Sequence, residues 1–382
     1  MPTEPPFLPR SMLFVITRGD SIGGAQIHVR DLCRRLAFEG VRVGVAAGTG
    51  GALQDELGPS IPYFLVPSLK RSINPLSDVF AMAELGRVLR AFQPQLVSTH
   101  TAKAGFVGRV AAFWHGVPSL FTAHGWQFAE GISWWQKILV LALETVLARL
   151  SRRIICVSAY DRSLALKARL GGPRKIVLVH NGMPWREAPE QRSSMTTAST
   201  KPVSLIMTAR FQPQKDHETL LTALKMLESH PWTLQLVGDG PLLELVRRRV
   251  HDLGWDNRVT FAGQVMDVPQ RLEASDVFIL ASLWEGFPRS ILEAMRAQLP
   301  VVCSEVGGVR EAVLEGVTGK IVPPQDPQAL AQALQPLLED LALRQKMGKA
   351  GRACYEAEFT FDAMLAKTRQ VWEQALRKGK PR

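Results

Sequence analysis

The strongest constraint on the fold of this chain is a repeated alternation of short apolar runs with amphipathic, helix-like stretches. The first half has apolar runs at 12–17, 41–46, 63–66, 96–99, 119–122 and 154–157, and a helical pattern at 26–38. The second half repeats the alternation with runs at 204–208, 233–237, 259–261, 277–281 and 301–303. Strands that alternate with helices build parallel sheets covered on both faces. The pattern predicts an α/β protein with two doubly wound domains, whose sites lie at the carboxyl ends of the strands.

The boundary between the two domains is predicted from composition. A chain of 382 residues is longer than one hydrophobic core usually organises. The segment 186–200 is polar, rich in Ser and Thr, and has no apolar periodicity, which is typical of a linker. We expect a first domain at 1–185, a linker at 186–201, a second domain at 202–360, and a final segment at 361–382 that begins with a helix.

The charge is concentrated in the first half of the chain. Residues 1–180 carry 21 Lys and Arg against 11 Asp and Glu, whereas residues 181–382 carry 25 against 24. A basic half attracts polyanions, which leaves nucleic acid, an anionic lipid surface and a phosphorylated substrate as alternatives. Four widely separated cysteines argue against a zinc site or a disulfide framework. With no signal peptide and no long apolar segment, we expect a cytoplasmic protein, soluble or associated with a surface.

The clearest local signal is the stretch from Trp284 to Met295, which follows one predicted strand and precedes another. Pro288 suits the first turn of a helix, because its missing N–H has no helical partner there. Glu285 then lies in the loop and Glu293 lies inside the helix. A helix N-terminus attracts anions, and flanking carboxylates can accept sugar hydroxyl protons. The alternative is that two acids eight residues apart lie by chance on a solvated helix.

Three further loops follow predicted strands. Gly23 and Gly24 open a helix and would let backbone N–H groups approach an anion, although they do not match the G-x-G-x-x-G pattern of nicotinamide-binding proteins. Arg210 and Lys215 can reach one diphosphate, and Gly238 lies in a glycine turn. The alternatives are an ordinary turn at Gly23 and a solvated basic loop at Arg210.

His124 follows the strand at 119–122 and can bind a substrate hydroxyl or phosphate, while His100 is a weaker candidate at the end of the preceding strand. A lone histidine is more often structural. The sequence has no Asp-x-Asp pair for a divalent cation and shows no close histidine cluster. We therefore expect no metal and no cofactor, with Arg, Lys and a helix dipole holding the diphosphate instead.

Taken in order along the chain, these motifs resemble the retaining glycosyltransferases of family 4, which have the GT-B fold. The resemblance runs from about residue 12 to about residue 361. The spacing E-x7-E, read here as EGFPRSILE, is the family's most diagnostic element. The variant Pro288-Arg289 and the segment THTAKAG at 99–105 resemble enzymes of capsule, exopolysaccharide and O-antigen synthesis. Many relatives have Gly-Leu at the position of Pro288-Arg289.

The resemblance implies an acceptor-side domain at 1–185, a nucleotide-sugar-binding domain at 202–360 and a cleft between them. The segment 361–382 would cross back to the first domain. Four residues are implied in catalysis: His124, Glu285, Arg210 and Lys215. The implied donor-binding residues are Gly23, Gly24, Arg210, Lys215, Gly238, Glu285, Gly286, Phe287, Pro288, Ser290, Ile291 and Glu293. Glu293 would accept from the ribose hydroxyls and Glu285 from those of the transferred sugar.

The resemblance further implies transfer from a nucleotide-diphosphate sugar, most often a UDP-sugar, with retention and without a metal. The acceptor is expected to be a saccharide or a lipid-linked saccharide of cell-surface polysaccharide synthesis. A non-hydrolysing sugar-nucleotide epimerase, a non-catalytic sugar-nucleotide-binding subunit and a nucleic-acid-binding protein remain as alternatives, the last one disfavoured because aromatic residues do not alternate with the basic ones.

One helix of the first half has two interpretations. The segment 133–152 places Trp135, Leu139, Leu143, Val146 and Leu150 on one side, with Lys137, Glu144 and Arg152 largely opposite. An amphipathic helix in a basic domain can lie on the anionic inner face of the plasma membrane. The alternative is a core helix that packs its apolar side against the first sheet.

Overall fold

The computed structural model describes residues 8–72, 74–126, 128–129, 132–189 and 201–377. The chain divides into two compact units, Met1–Asn181 with Asp362–Arg382, and Gly182–Phe361. Most of the predicted linker, residues 190–200, lies outside the described residues.

The first unit contains a seven-stranded parallel sheet in the order β3-β2-β1-β4-β5-β6-β7. Its strands are β1 (Ser11–Ile16), β2 (Arg42–Ala47), β3 (Tyr63–Leu65), β4 (Leu96–His100), β5 (Ser119–Ala123), β6 (Arg153–Cys156) and β7 (Ile176–Leu178). All six residues of β1 are buried, as expected for a central parallel strand covered by helices on both faces.

The helices of this unit alternate with its strands. They are α1 (Gly24–Phe38), α2 (Ala52–Leu57), α3 (Pro75–Phe92), α4 (Ala102–Trp114), α5 (Trp134–Leu150) and α6 (Ala159–Lys167). Buried residues of α3 and α4 pack on β1 and β4 around Leu13, Val15 and Val97. α4 contacts both α3 and α5.

The second unit contains a six-stranded parallel sheet in the order β10-β9-β8-β11-β12-β13. Its strands are β8 (Val203–Thr208), β9 (Trp232–Val237), β10 (Val259–Gly263), β11 (Val277–Leu280), β12 (Val301–Ser304) and β13 (Gly319–Val322). Its helices are α7 (His217–Met226), α8 (Leu243–Asp252), α9 (Val268–Glu273), α10 (Arg289–Arg296), α11 (Val309–Ala312), α12 (Pro327–Glu339) and α13 (Leu341–Glu358).

The last helix, α14 (Phe361–Leu376), begins at the residue that the sequence predicts. From Asp362 onward it belongs to the first unit. Asp362 pairs with Arg35, and Arg369 pairs with Glu39. Trp372 is buried beside α1 and β4. The C-terminal helix is therefore held to the first unit by both ion pairs and apolar packing.

The predicted strands agree with those of the structure to within two residues at each end, but β7 and β13 carry no prediction. Both are short, and both lie at the edge of a sheet. Edge strands lack the long apolar run by which a central strand is recognised. Among the described residues, no helix is both long enough and apolar enough to cross a bilayer.

The structure contradicts the interpretation of 133–152 as a core helix that buries its apolar side. α5 buries Glu144, Leu147 and Ala148, whereas Trp135 and Leu139 are exposed. The Glu144 carboxylate accepts two hydrogen bonds of 2.9 Å from Nη2 of the fully buried Arg109 on α4. The side of the helix that carries Glu144, Leu147 and Ala148 therefore faces the protein, because Glu144 is the partner of a buried arginine.

Candidate functional site

Lys215 and Glu285 form a nearly buried ion pair in the second unit. Lys215 lies in the loop after β8 and Glu285 in the loop after β11, and these strands are neighbours in the sheet. The side chains are only 13% and 8% exposed. Backbone hydrogen bonds join the two loops, from Leu283 N to Gln214 O at 2.8 Å and from Asp216 N to Ala281 O at 3.1 Å. The parallel topology thus unites two residues that are seventy positions apart.

Two residues that the sequence interpretation missed hold this pair in place. The Ser282 hydroxyl donates to Glu285 Oε1 at 2.7 Å. The Gln214 amide donates to Trp284 O at 2.6 Å and lies 3.5 Å from Glu285 Oε2. Serine and glutamine are common in loops, so the sequence alone does not single them out. Their role becomes visible only because β8 pairs with β11 and brings the two loops together.

Arg210 has different surroundings, although it lies in the same loop as Lys215. It is exposed. Throughout the part of the chain that the structure describes, its guanidinium has no hydrogen-bond or ion-pair partner. An unpaired guanidinium at the carboxyl end of a parallel strand is available to a phosphate ligand.

The helix after Glu285 begins one residue later than predicted. α10 starts at Arg289, and Pro288 is its extended N-cap residue rather than a member of the first turn. The ring has the same effect there, because it fixes the backbone and has no N–H to leave unsatisfied. Glu293 lies inside the helix, as predicted, and is half-buried.

The residues around Pro288 have largely buried side chains, so that mainly their backbone groups are available to a ligand. Phe287 is buried against Phe359, with ring centroids 5.5 Å apart, and Ile291 is fully buried. Gly286 O accepts from Gly308 N at 2.8 Å, while Ser290 is half-buried. The first turn of α10 is thus anchored in the core and presents its backbone at the carboxyl end of β11.

Two glycines allow loops to approach one another closely. Gly238 has φ +139°, and a Cβ there would lie 2.1 Å from Ala209 O. Gly307, which carries no prediction, has φ +55°, and its Cβ would lie 1.9 Å from Glu285 O. Gly238 is therefore required for the approach of the β9 loop to the β8 loop, and Gly307 for the position of the Glu285 backbone.

Arg289 is enclosed by the protein and is not exposed to solvent. It is buried, with Nη1 3.5 Å from Gly182 O. Arg296 donates from Nη1 to Pro184 O at 2.8 Å, and Arg352 donates from Nη2 to Arg186 O at 2.6 Å. Burial lowers the pKa of Arg296. These arginines fasten the segment 182–186 to α10 and α13 of the second unit.

In the first unit, Gly23 and Gly24 lie at the start of α1. Gly23 is the extended N-cap residue and Gly24 is the first residue of the helix. The first turn carries no acidic side chain, so the positive end of the helix dipole is not neutralised locally. The same helix carries His28 one turn further on.

His28, His100 and His124 form a close cluster, so the expectation of no close histidine cluster is wrong. A ring nitrogen from each lies within 4.8 Å of the others. His100 Nδ1 is 3.0 Å from His124 Nε2, and Ser98 Oγ is 3.0 Å from His100 Nε2. The three residues are up to 96 positions apart in sequence and meet because α1, β4 and β5 bring them to one end of the sheet.

Burial lowers the pKa of His100 well below its usual value, and the neighbouring His124 lowers it further. A neutral imidazole has one N–H and one acceptor nitrogen. His100 therefore donates from one ring nitrogen and accepts at the other, and so links Ser98 to His124 by hydrogen bonds. His124 is half-buried. Among the described residues, the three imidazoles are a group that could hold a transition-metal ion, since imidazole nitrogen is a common ligand of zinc and copper.

The backbone beside His100 is unusual. Thr101 has φ +71° and ψ 153°, a region that is normally restricted to glycine. Its hydroxyl lies 2.7 Å from that of Thr17, which accepts from Ala104 N at 3.1 Å. Unfavourable backbone conformations cluster at functional sites, and this one adjoins the histidine cluster.

Family models match both halves of the chain: Glycosyltransferase Family 4 over residues 22–184, and Glycosyl transferases group 1 over residues 189–353. The chain belongs to the family 4 glycosyltransferases, which have the GT-B fold. It is thus a glycosyltransferase that uses a nucleotide-sugar donor, and the epimerase and nucleic-acid interpretations are set aside.

Individual relatives agree with this assignment. The UDP-Gal:alpha-D-GlcNAc-diphosphoundecaprenol alpha-1,3-galactosyltransferase of Escherichia coli is 30% identical over 77% of this chain and 79% of its own length. The putative glycosyltransferase EpsD of Bacillus subtilis is 25% identical over 76% and 81%. The structure of Anabaena HepE with UDP and glucose is 25% identical, with a TM-score of 0.79 over 95% and 98% of the two chains.

Proposed function

We propose that this protein transfers a sugar from a UDP-sugar to a lipid-linked saccharide, with retention and without a metal, during cell-surface polysaccharide synthesis. The observation that carries the proposal is the Lys215–Glu285 pair, held at the carboxyl ends of β8 and β11 beside the N-terminus of α10. It places a cation, a carboxylate and a helix dipole where a doubly wound domain binds its ligand.

Lys215 and Arg210 neutralise the diphosphate, with Lys215 acting as a positioned point charge and Arg210 as a planar fork. Glu285 orients the Lys215 ammonium and accepts hydrogen bonds from hydroxyls of the transferred sugar, while Glu293 accepts from the ribose. Because Ser282 fixes the Glu285 carboxylate before substrate arrives, the site is already organised for charge stabilisation.

The reaction proceeds on one face of the sugar. The bond from the anomeric carbon to the phosphate oxygen breaks, and its electron pair remains on that oxygen. The acceptor hydroxyl oxygen bonds to the anomeric carbon on the same face, and its proton passes to the departing phosphate. The implied roles of His124, Gly23 and Gly24 in donor binding stay predictions. No nucleophile is assigned.

Support for the donor and the acceptor comes from the relatives. HepE was crystallised with UDP and glucose, and the Escherichia coli enzyme takes a UDP-sugar and a diphosphoundecaprenol-linked acceptor. A lipid-linked acceptor resides in a membrane, so we place this protein at the inner face of the plasma membrane as a peripheral protein.

The test is turnover of a panel of UDP-, GDP- and ADP-sugars, with and without lipid extract and with and without EDTA. We expect the extract to stimulate turnover of one UDP-sugar, EDTA to have no effect, and the anomeric proton coupling of the product to show retention. Loss of turnover in EDTA that a divalent cation restores would contradict metal independence.

Two outcomes would replace the proposal. Binding of a sugar nucleotide without turnover under any condition would indicate a binding subunit. Inversion at the anomeric carbon would contradict the single-face reaction. The variant Glu285→Gln serves as a control for background hydrolysis, because it keeps the shape of the side chain and removes its charge.

A further inference from the structure

Helix α5 exposes a continuous apolar side. Six large side chains, here called the α5 face, are between 44% and 75% exposed: Trp134, Trp135, Ile138, Leu139, Leu143 and Val146. They cover just over three turns, or about 18 Å of helix. Single exposed apolar residues need no explanation, but an ordered row of this length marks an interaction surface.

The orientation of this row is fixed by the opposite side of the helix. Arg109 is completely buried, donates to both carboxylate oxygens of Glu144, and stacks over Phe121 with 4.2 Å from Cζ to the ring centroid. Rotating α5 to bury the apolar row would leave the Arg109 guanidinium without its partner in the interior, which is strongly unfavourable. The α5 face is therefore held outward.

The charges around this face have one sign. Within residues 74–126, 128–129 and 132–153, all acidic side chains are bonded inside the unit: Asp78 to Lys103, Glu84 to Ser68, and Glu144 to Arg109. The charged side chains exposed on α5 and directly after it are basic, namely Lys137, Arg149 and Arg152. The surroundings of the apolar row are thus suited to an anionic partner.

We propose that the α5 face binds the surface of an anionic phospholipid bilayer, with its apolar side chains inserted between the head groups. Tryptophans favour the water–lipid boundary, and α5 begins with two of them. Flanking basic residues add attraction to acidic lipids. A second copy of the chain fits less well, because pairing two such faces would bring basic groups together.

The inference deepens the proposed function, since it names the surface by which the enzyme reaches a lipid-linked acceptor. It can be tested separately, because lipid binding requires no turnover. The experiment is co-sedimentation of the full chain with vesicles of phosphatidylglycerol and phosphatidylcholine, compared with phosphatidylcholine alone.

We expect binding to the acidic vesicles, weakened by salt. The double variant Leu139→Ser/Leu143→Ser should lower the partition coefficient about tenfold or more, because each buried apolar side chain favours transfer severalfold. The charge variant Lys137→Glu/Arg149→Glu should weaken binding to acidic vesicles only. The control is Phe38→Ser, which removes a larger and more exposed apolar side chain at the end of α1 and should change nothing.

Unchanged binding of the Leu139→Ser/Leu143→Ser variant, or no binding of the unmodified chain to acidic vesicles, would overturn the inference. So would light scattering that shows a dimer dissociated by the same variant. Turnover of a water-soluble acceptor analogue by the double variant distinguishes an incorrect membrane surface from an incorrect proposed function, because this turnover requires no vesicle. If the inference is correct, that turnover is retained while use of vesicle-embedded acceptor falls.

Discussion

Arg210 and Lys215 lie in one loop and serve one proposed ligand, yet their surroundings predict different consequences of removal. Arg210 is exposed and unpaired within the described part of the chain. Its replacement, Arg210→Gln, should lower kcat by about a hundredfold, as expected for the loss of one charge-stabilising donor. The urea midpoint should change little, because surface substitutions usually alter stability by less than about 0.5 kcal/mol.

Lys215→Met should impair both activity and stability. Glu285 would remain in a nearly buried position without its cation, which costs about 3 kcal/mol of unfolding free energy. Adding Glu285→Gln should restore part of the stability but none of the activity. Steady-state kinetics and urea unfolding of the three variants provide the measurements, and equal stability losses for Arg210→Gln and Lys215→Met would contradict the distinction.

A glycine pair tests how far the position of Glu285 matters. Gly307→Ala would place a methyl group 1.9 Å from Glu285 O, whereas Gly316→Ala, at φ +74°, would meet nothing within 4 Å. Both substitutions pay about 1–2 kcal/mol for a left-handed backbone. Only Gly307→Ala must also displace the Glu285 loop, so we expect it alone to lower kcat. Kinetics of both variants at matched folded fraction would show this, and equal activity would contradict it.

The sequence predicted single residues well where they follow a strand and are chemically distinctive. Lys215 and Glu285 fall at the carboxyl ends of strands of the second sheet and Glu293 lies inside α10, as predicted, although their roles stay predictions. It failed for His28 and Gly307, since an ordinary helix residue and an ordinary loop glycine carry no local signal. His28 matters because it lies beside His124, 96 positions away, and Gly307 because it lies beside Glu285, 22 positions away. Only the folded sheets bring these residues together.

At the scale of secondary structure, the same reasoning succeeds for α14 and for the central strands. It leaves the orientation of α5 open. The apolar periodicity of 133–152 correctly predicts a helix, and the structure gives Trp134–Leu150. Periodicity cannot say which side is buried when a buried arginine on another helix requires a carboxylate. Arg109 looks like any other basic residue of α4 until the helices are packed.

The Arg109–Glu144 pair provides a prediction at this scale. Burial raises the pKa of the Glu144 carboxyl and lowers the pKa of Arg109 despite their attraction, so desolvation outweighs pairing for both groups. Glu144→Gln or Arg109→Met alone should therefore cost about 3–5 kcal/mol, because one buried charge is left. The double variant Arg109→Met/Glu144→Leu should be less destabilised than either, as urea unfolding will show. A double loss equal to the sum of the singles would contradict this.

For the whole molecule, the uneven distribution of charge along the sequence corresponds to a difference between the two units. The excess of basic residues lies in the first half, where α5 presents its apolar side. The pairing of Lys215 with Glu285 lies in the second unit, whose half of the chain is nearly neutral. Such a division is compatible with the proposed function, in which the acceptor is lipid-linked and the donor is soluble and anionic.

Both units contain a buried histidine whose pKa is lowered, and this predicts the response of the molecule to acid. Burial lowers the pKa of His217 to about 4. Its Nδ1–H donates to Lys215 O at 2.7 Å, and its ring stacks on Phe211 with centroids 4.4 Å apart. In the first unit, His100 is displaced in the same direction. Each ring is neutral when folded and takes up a proton on unfolding in mild acid.

The sign of the effect follows from proton binding. Above about pH 6.5 neither state protonates the ring, so stability does not depend on it. Between about pH 6.5 and 4 the unfolded chain binds a proton that folded His217 does not. The unfolding free energy of the second unit should therefore fall by about 1.4 kcal/mol per pH unit, reaching about 3 kcal/mol. Peptide-resolved hydrogen exchange of α7 and β9, corrected for intrinsic rates, measures this loss of unfolding free energy.

His217→Phe keeps the stacking and should remove this pH dependence, whereas His251→Gln, at an exposed position, should retain it. A slope that survives His217→Phe would assign the acid response to other groups.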